Sequence, residues 1–149
     1  MVDARPLLAS LEKIVNAPGS PPELRLAFVR ELQRARPMYT GIYLYVLQGD
    51  TLALGEYVGR PTEHTHIPVG SGVCGASASS GETVVVDDVS LDPRYIACSV
   101  ETRSEIVVPV KRAHRYLAQI DVDSDGLATF GHQDRWLLER AAALLERLY

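Results

Sequence analysis

The two cysteines are the first residues in this sequence whose type could carry chemistry. Cys74 ends the glycine-rich stretch GSGVC, and a helix that begins near Val73 would point its free backbone amides at the sulfur, which favours the thiolate. A small buried residue at a helix start is the alternative. Cys98 lies in the irregular segment 87–102, and long loops of compact domains often hold functional residues. We therefore expect Cys98 to be the better nucleophile, with a packed structural thiol as the alternative.

Three acidic residues form a second candidate group. Asp121 and Asp123 are two positions apart, so both side chains would lie on one side of a strand end, and Glu105 heads the neighbouring predicted strand. Carboxylates that converge on one cavity raise the pKa of at least one member, which could then donate a proton. Together they would also attract a small cation such as the ammonium group of an amino acid. On spacing alone, solvated turn residues are the simpler interpretation.

The sequence does not predict a metal site. HTH at 64–66 and the two cysteines offer four zinc ligands, but the recurrent zinc spacings, such as CxxC or HxxxH, are missing. DVDSDG at 121–126 resembles the start of a calcium-binding EF-hand loop, yet its twelfth position is His132 instead of the required Glu. We therefore expect no bound metal.

Composition limits the class of protein and the partners it could have. The chain has 149 residues, of which 46% are hydrophobic and 23% charged, as is usual for one globular domain. A formal net charge of -4 argues against nucleic acid as a main partner. The sequence lacks an apolar run of about 18 residues and a signal peptide's basic start, so we expect no membrane partner and a cytoplasmic location. In that reducing compartment the cysteines should rest as thiols.

Three longer amphipathic helices are predicted, two near the start of the chain and one at its end. Apolar residues recur on one helical face over 5–17. The second helix begins at a capping box, with Ser20 as N-cap and Glu23 as its partner, and Pro37 stops it. The third covers 133–148.

Strands are predicted between these helices. Alternating apolar, aromatic and β-branched residues predict one hairpin over 39–58 and another over 105–122. Short extended segments at 67–69 and 83–86 flank a brief helix at 76–80. Strands bracketed by helices predict an α+β fold, in which helices cover one side of an antiparallel sheet.

Four motifs together resemble the GAF-domain free methionine-(R)-sulfoxide reductases. They are GSGVCGAS at 70–77, VVDDV at 85–89, YIACSVETRSEIVVPV at 95–110 and IDVDS at 120–124. They occur in the family's order and at its spacing, and the resemblance covers roughly residues 20 to 148. It implies a single GAF domain at 20–149, preceded by an N-terminal helix within 1–19 as part of one globular unit. Members of the family are commonly dimeric, so a homodimer is expected.

The resemblance also assigns roles to individual residues. The cysteine of the IAC motif, Cys98, would be the catalytic nucleophile, and Cys74 would belong to the set that resolves or regenerates it. The remaining family positions are an acidic set and an aromatic pocket wall, and they map onto Glu105, Asp121, Asp123, Tyr39 and Tyr43. A third cysteine of the family is replaced here by His64, which leaves Cys74 as the only candidate for an intramolecular resolver.

The function that this resemblance implies is the reduction of free methionine (R)-sulfoxide. Cys98 would attack the substrate, a carboxyl group would protonate its oxygen, and the resulting sulfenic acid would condense with Cys74. No bound cofactor is expected, because an external dithiol such as thioredoxin would reduce the disulfide. The alternative is a non-catalytic GAF module that senses a small ligand or redox state. Such modules usually accompany an output domain, and the sequence indicates none, which favours the enzyme.

Overall fold

An antiparallel sheet forms the centre of the molecule in the computed structural model, which describes residues 2–96 and 99–149. Its strands are β1 Gly41–Gln48, β2 Thr51–Val58, β3 His66–Pro68, β4 Val84–Val86, β5 Ser104–Arg112 and β6 Arg115–Ser124. The strand order is β3-β2-β1-β6-β5-β4, and each pair of neighbours is antiparallel. The long strands β1, β6 and β5 therefore lie side by side at the centre.

The described ranges contain four α-helices: α1 Arg5–Val15, α2 Pro21–Ala35, α3 Gly72–Ser80 and α4 His132–Leu145. Short 3-10 turns occur at Val89–Leu91 and Glu146–Leu148. The side chain of Ser20 accepts a hydrogen bond from the amide of Glu23 at 3.4 Å, which confirms the predicted N-cap of α2. The α+β fold is likewise confirmed. Within the described part of the chain, no helix combines the length and the apolar character needed to cross a bilayer.

Alternation along the strands separates the two faces of the sheet. One face packs against α2 and α4, which in turn carry α1, and its buried strand residues include Ile42, Leu44, Ile106, Val108, Ile120 and Val122. The other face carries Tyr43, Tyr45 and Val107, which pack with Cys74 of α3. Because successive strand residues point to opposite faces, β1 and β5 contribute to both cores. The expectation that helices cover one side only is therefore wrong for α3, which covers the second face.

Three element boundaries differ from the sequence-based prediction in ways that affect the candidate site. β6 continues to Ser124, beyond the predicted end at 122, so Asp123 belongs to the strand. β1 begins at Gly41, which leaves Tyr39 outside it. α3 begins at Gly72, before the predicted segment 76–80 and close to the alternative start near Val73, although its glycines disfavour helix. Packing between segments distant in sequence overrides these local preferences.

Candidate active site

The three predicted acidic residues meet on the face of the sheet that α3 covers. Asp123 of β6 is paired in register with Glu105 of β5, and Asp121 lies two residues before it on the same face. The exposed fraction is 2% for Asp121 and 4% for both Glu105 and Asp123. These values exclude the interpretation of the three residues as solvated turn residues.

Cys74 joins this acidic group from α3. Its sulfur and one carboxylate oxygen from each of Glu105 and Asp121 all lie within 4.8 Å of one another. The side-chain amide of Gln119 donates a hydrogen bond to the carbonyl oxygen of Cys74 at 3.2 Å, so β6 also fixes the backbone that carries the thiol. Gly75 permits the close approach of α3, because a Cβ atom there would lie 2.6 Å from the carbonyl oxygen of Pro68.

Interactions between the acids have opposite effects on the two partners. Hydrogen bonding between Glu105 and Asp121 raises the pKa of Glu105 and lowers that of Asp121, and hydrogen bonding between Asp123 and Glu105 raises the pKa of Asp123 and lowers that of Glu105. Hydrogen bonding to the thiol of Cys74 also lowers the pKa of Asp121. Of the three acids, Asp121 is therefore the one whose pKa both of its hydrogen-bonding neighbours lower.

The pKa values of the three carboxyl groups agree with these effects. Burial is the main cause that raises the pKa of each, and the charge of a neighbouring carboxylate adds to it. The pKa of Asp121 rises to about 7, and those of Glu105 and Asp123 rise well above their ordinary range. The raised pKa values of Glu105 and Asp123 favour their protonated forms, which can donate a proton, whereas Asp121 has a pKa close to neutral.

The electrostatic prediction for Cys74 is wrong in sign. A position near a helix start was expected to lower the thiol pKa, but burial raises it well above the ordinary value, and the charges of Asp121 and Glu105 raise it further. Only 6% of this residue is exposed. Loss of water and two nearby acids outweigh the partial charge of the helix end, so the thiol keeps its proton at neutral pH.

Two tyrosines of β1 extend the same surface. Tyr43 lies opposite Asp121 in register, and its hydroxyl donates to the carbonyl oxygen of Arg60 at 2.7 Å. Tyr45 donates to the carbonyl oxygen of His64 at 2.8 Å. Tyr43 was predicted from the sequence and Tyr45 was not, although strand alternation from Tyr43 indicates that Tyr45 lies on the same face.

A cavity opens above the thiol and the acids. It is partly open to solvent, and the room inside it for a water-sized sphere is about 20 Å³. Its lining in the described residues is Tyr45, His64, Ile67, Ser71, Gly72, Val73, Cys74, Ile96, Glu105 and Asp121. Apolar walls thus surround a floor with a thiol and two carboxyl groups, a combination of apolar and polar surface that is typical of small-molecule sites.

Comparison with known proteins identifies the family. Residues 24–148 match the family model described as GAF domain. The free methionine-R-sulfoxide reductase of Neisseria meningitidis, solved in complex with its substrate, superposes with a TM-score of 0.92 at 33% identity, covering 99% of this chain and 91% of that one. This chain belongs to the GAF-domain free methionine-R-sulfoxide reductase family.

Two curated members of the reductase family give the same result in sequence. The free methionine-R-sulfoxide reductase of Saccharomyces cerevisiae is 41% identical over 107 residues, which are 69% of this chain and 59% of the relative. The enzyme of the same name from Escherichia coli is 34% identical over 104 residues, which are 70% of this chain and 62% of the relative. The match thus spans about six tenths of the length of these two relatives.

The position expected for the nucleophile of the reductase family, Cys98, lies outside the described residues. The segment that precedes it reaches the cavity, because Ile96 is part of the lining. Ile96 also packs on the start of α3: a Cβ atom on Gly72 would lie 2.7 Å from its Cδ1. The chain thus reaches the Cys74 cavity two residues before Cys98.

Tyr39, the second residue predicted for the aromatic wall, has different surroundings. It packs in the core on the helix side, where its ring centroid is 5.6 Å from that of Phe130. Its hydroxyl donates to Asp134 at the start of α4 at 2.6 Å. This placement differs from the expectation, because Tyr39 precedes β1 and does not follow the alternation that puts Tyr43 on the acidic face. Its role as a pocket wall stays a prediction.

Proposed function

We propose that this protein reduces free L-methionine (R)-sulfoxide to methionine by thiol chemistry. The observation that supports it most directly is the buried group of Glu105, Asp121 and Asp123 beside Cys74 and a cavity, in which burial raises the pKa of all three acids. Membership of the reductase family adds independent support, since the Neisseria relative is described in complex with its substrate.

The reduction step needs a thiolate and a proton. In the proposed step, the Cys98 thiolate attacks the sulfoxide sulfur while a neutral carboxyl group, Glu105 or Asp123, protonates the oxygen, because an unprotonated oxygen is a poor leaving group. The hydroxyl group is transferred to the cysteine sulfur as methionine leaves. The substrate sulfur gains two electrons and the sulfur of Cys98 loses two, so Cys98 becomes a sulfenic acid.

Recycling assigns a second role to Asp121. Cys74 would attack the Cys98 sulfenic acid, release water and form a disulfide, which an external dithiol such as thioredoxin then reduces. Cys74 must lose its proton to attack, and its thiol already donates a hydrogen bond to Asp121. Asp121 is therefore the base we propose for this step.

The same acids explain a preference for the free amino acid. An ionised carboxylate in a buried cavity attracts the substrate ammonium, and Tyr43 and Tyr45 supply apolar surface beside it. A methionine sulfoxide residue within a polypeptide has no ammonium group at this position. Desolvating the carboxylate without a cation would cost free energy, so the bound peptide is disfavoured.

The wider context follows from the same proposal. We expect a homodimer in the cytoplasm that uses a thioredoxin-like partner and no bound cofactor. Light scattering coupled to size exclusion tests the dimer, and a mass of 16.3 kDa, that of one chain, would contradict it.

One assay tests the function. The protein is incubated with free methionine (R)-sulfoxide and either dithiothreitol or thioredoxin, and methionine formation is measured for the wild type, Cys98→Ser and Cys74→Ser. We expect no turnover for Cys98→Ser, and for Cys74→Ser a larger loss with thioredoxin than with dithiothreitol. Equal activity of all three proteins would contradict the thiol mechanism. Inactivity of all three would favour a GAF module that senses a ligand or redox state.

A further inference from the structure

We propose that Cys74, Glu105 and Asp121 form a binding site for a thiophilic divalent cation of the Zn²⁺ class. The sulfur and one oxygen from each acid lie within 4.8 Å of one another, and all three residues are at least nine-tenths buried. A tetrahedral zinc ion with ordinary bond lengths holds its ligand atoms about 3.5 Å apart. Side-chain adjustments of about 1 Å would therefore close the site around an ion.

An independent observation indicates that the group can accept a ligand. The Oδ1 atom of Asp121 has no hydrogen-bond partner among the described residues, although the residue is 2% exposed and lines the cavity. A buried carboxylate oxygen that lacks a partner costs free energy, and coordination of a cation would remove that cost.

The ligand types select the class of metal. One thiolate and two carboxylate oxygens suit Zn²⁺, whereas Mg²⁺ and Ca²⁺ prefer sites made of oxygen alone. Binding would displace the thiol hydrogen of Cys74 and the proton of Glu105. The positive charge of the ion would then offset the negative charge of the buried thiolate and carboxylates in place of those protons. Three protein ligands leave a fourth position for water or a small molecule from the cavity.

The site predicts inhibition by metal, a consequence that rests on the proposed function. An ion on Asp121 would occupy the carboxylate proposed to hold the substrate ammonium. The same ion would bind the sulfur of Cys74 and keep it from resolving a sulfenic acid. Zn²⁺ should therefore compete with free methionine sulfoxide.

Cobalt provides a direct test that needs no enzyme activity. Reduced protein is stripped with a chelator and titrated with Co²⁺, whose thiolate complexes absorb by ligand-to-metal charge transfer. We expect this absorption in the wild type and in Cys98→Ser, its loss in Cys74→Ser, and displacement of Co²⁺ by Zn²⁺ but not by Mg²⁺. The near-isosteric Asp121→Asn should weaken Co²⁺ binding by more than about tenfold. A change of about tenfold is what loss of a residue that only hydrogen-bonds to a metal ligand would cause. Exposed Asp50 provides the matched control, Asp50→Asn, which should bind as the wild type does.

The outcomes separate this inference from the proposed function. Absence of charge transfer in the wild type, or its loss in Cys98→Ser but not in Cys74→Ser, would overturn the site. If the protein binds Co²⁺ at this site but has no reductase activity, the metal site is supported and only the reductase proposal is contradicted. An active protein that Zn²⁺ does not inhibit at concentrations that displace Co²⁺ would overturn the competition. Circular dichroism of each variant establishes that it is folded. If Cys74→Ser does not fold, the weaker metal binding expected of Asp121→Asn still tests the site.

Discussion

At the scale of single residues, the chemistry of the acidic group depends on which of its members are protonated. Burial raises the pKa of Glu105, Asp121 and Asp123, and the interactions with Glu105 and Cys74 hold back the rise at Asp121. The raised pKa values of Glu105 and Asp123 suit proton donation, and Asp121, with a pKa of about 7, suits both binding of a cation and removal of a thiol proton. A single buried cluster thus supplies an acid and a base near neutral pH.

The raised pKa of Asp121 predicts a stability that depends on pH. The folded pKa of about 7 exceeds the ordinary value of 3.8, so the folded protein retains a proton that the unfolded chain loses. The free energy of unfolding therefore falls as pH rises from about 4 through about 7. Asp121→Asn removes this loss and should be more stable than the wild type by about 4 kcal/mol at pH 8 and by much less at pH 4.

Urea unfolding at pH 4 and pH 8 measures this difference. The control is Asp50→Asn, which replaces an exposed carboxylate and should change stability little at either pH. An Asp121→Asn advantage of the same size at both pH values would contradict the assignment.

At the scale of elements, α3 determines where the thiol lies. It is a nine-residue helix whose sequence, GVCGASASS, contains two glycines and is intrinsically weak. Its position is held by contacts from other elements. Gln119 binds the carbonyl oxygen of Cys74, and the side chain of Ser77 donates to the carbonyl oxygen of Glu82 at 2.8 Å. Contacts with the rest of the protein therefore stabilise α3 more than its own sequence does, and the same contacts bring Cys74 close to the acidic group.

Gly75 provides a test of this packing. Alanine is the better helix former by up to about 1 kcal/mol, but its Cβ atom would lie 2.6 Å from the carbonyl oxygen of Pro68 and 2.9 Å from the amide nitrogen of Gly70. Both are backbone atoms that cannot rotate away. We expect Gly75→Ala to lower the free energy of unfolding by about 1–3 kcal/mol and to reduce reductase activity.

The matched control for that substitution is Ser79→Ala, on the exposed side of the same helix. It tests helix propensity alone and should raise stability by about 0.5 kcal/mol or less in urea unfolding. A stabilised Gly75→Ala variant would show that α3 has room to move away from β3.

At the scale of the whole molecule, Arg60 connects three segments near Asp123 of the acidic group. Its guanidinium donates two hydrogen bonds to Asp125 after β6, at 2.9 and 2.6 Å, and also forms an ion pair with Glu101. Its carbonyl oxygen accepts the hydroxyl of Tyr43. The segment after β2, the segment before β5 and the end of β6 are thus joined beside Tyr43 and Asp123.

Arg60→Ala should loosen this connection while it keeps the backbone contact to Tyr43. If the proposed function holds, we expect KM for free methionine sulfoxide to rise several-fold with little change in kcat. The ion pair is exposed, so the urea midpoint should change little, and high salt should reduce the difference in KM. Arg34→Ala is the control, since it breaks an exposed ion pair with Glu31 on α2. An unchanged KM at low salt would rule out the connecting role of Arg60.

Much of the fold could be predicted because its signals are local. Ser20 and Glu23 indicated the start of α2, and alternating residues indicated both long hairpins, because capping and strand alternation depend on neighbours in the chain. The same alternation placed Asp121 and Asp123 on one face. Tyr45 obeys it too, but the family pattern points to Tyr39 and Tyr43 and does not include Tyr45.

The sequence by itself determined which residues share a strand face and which family motifs the chain carries. Only the tertiary structure decided that Glu105, Asp121 and Cys74 are buried together, that the pKa of Cys74 is raised, and that Tyr39 belongs to the helix-side core. The physical reason is that a pKa depends on desolvation and on charges brought from distant segments, here α3, β5 and β6. The spacing of residues along the chain reveals neither how far a group is desolvated nor which distant charges lie beside it.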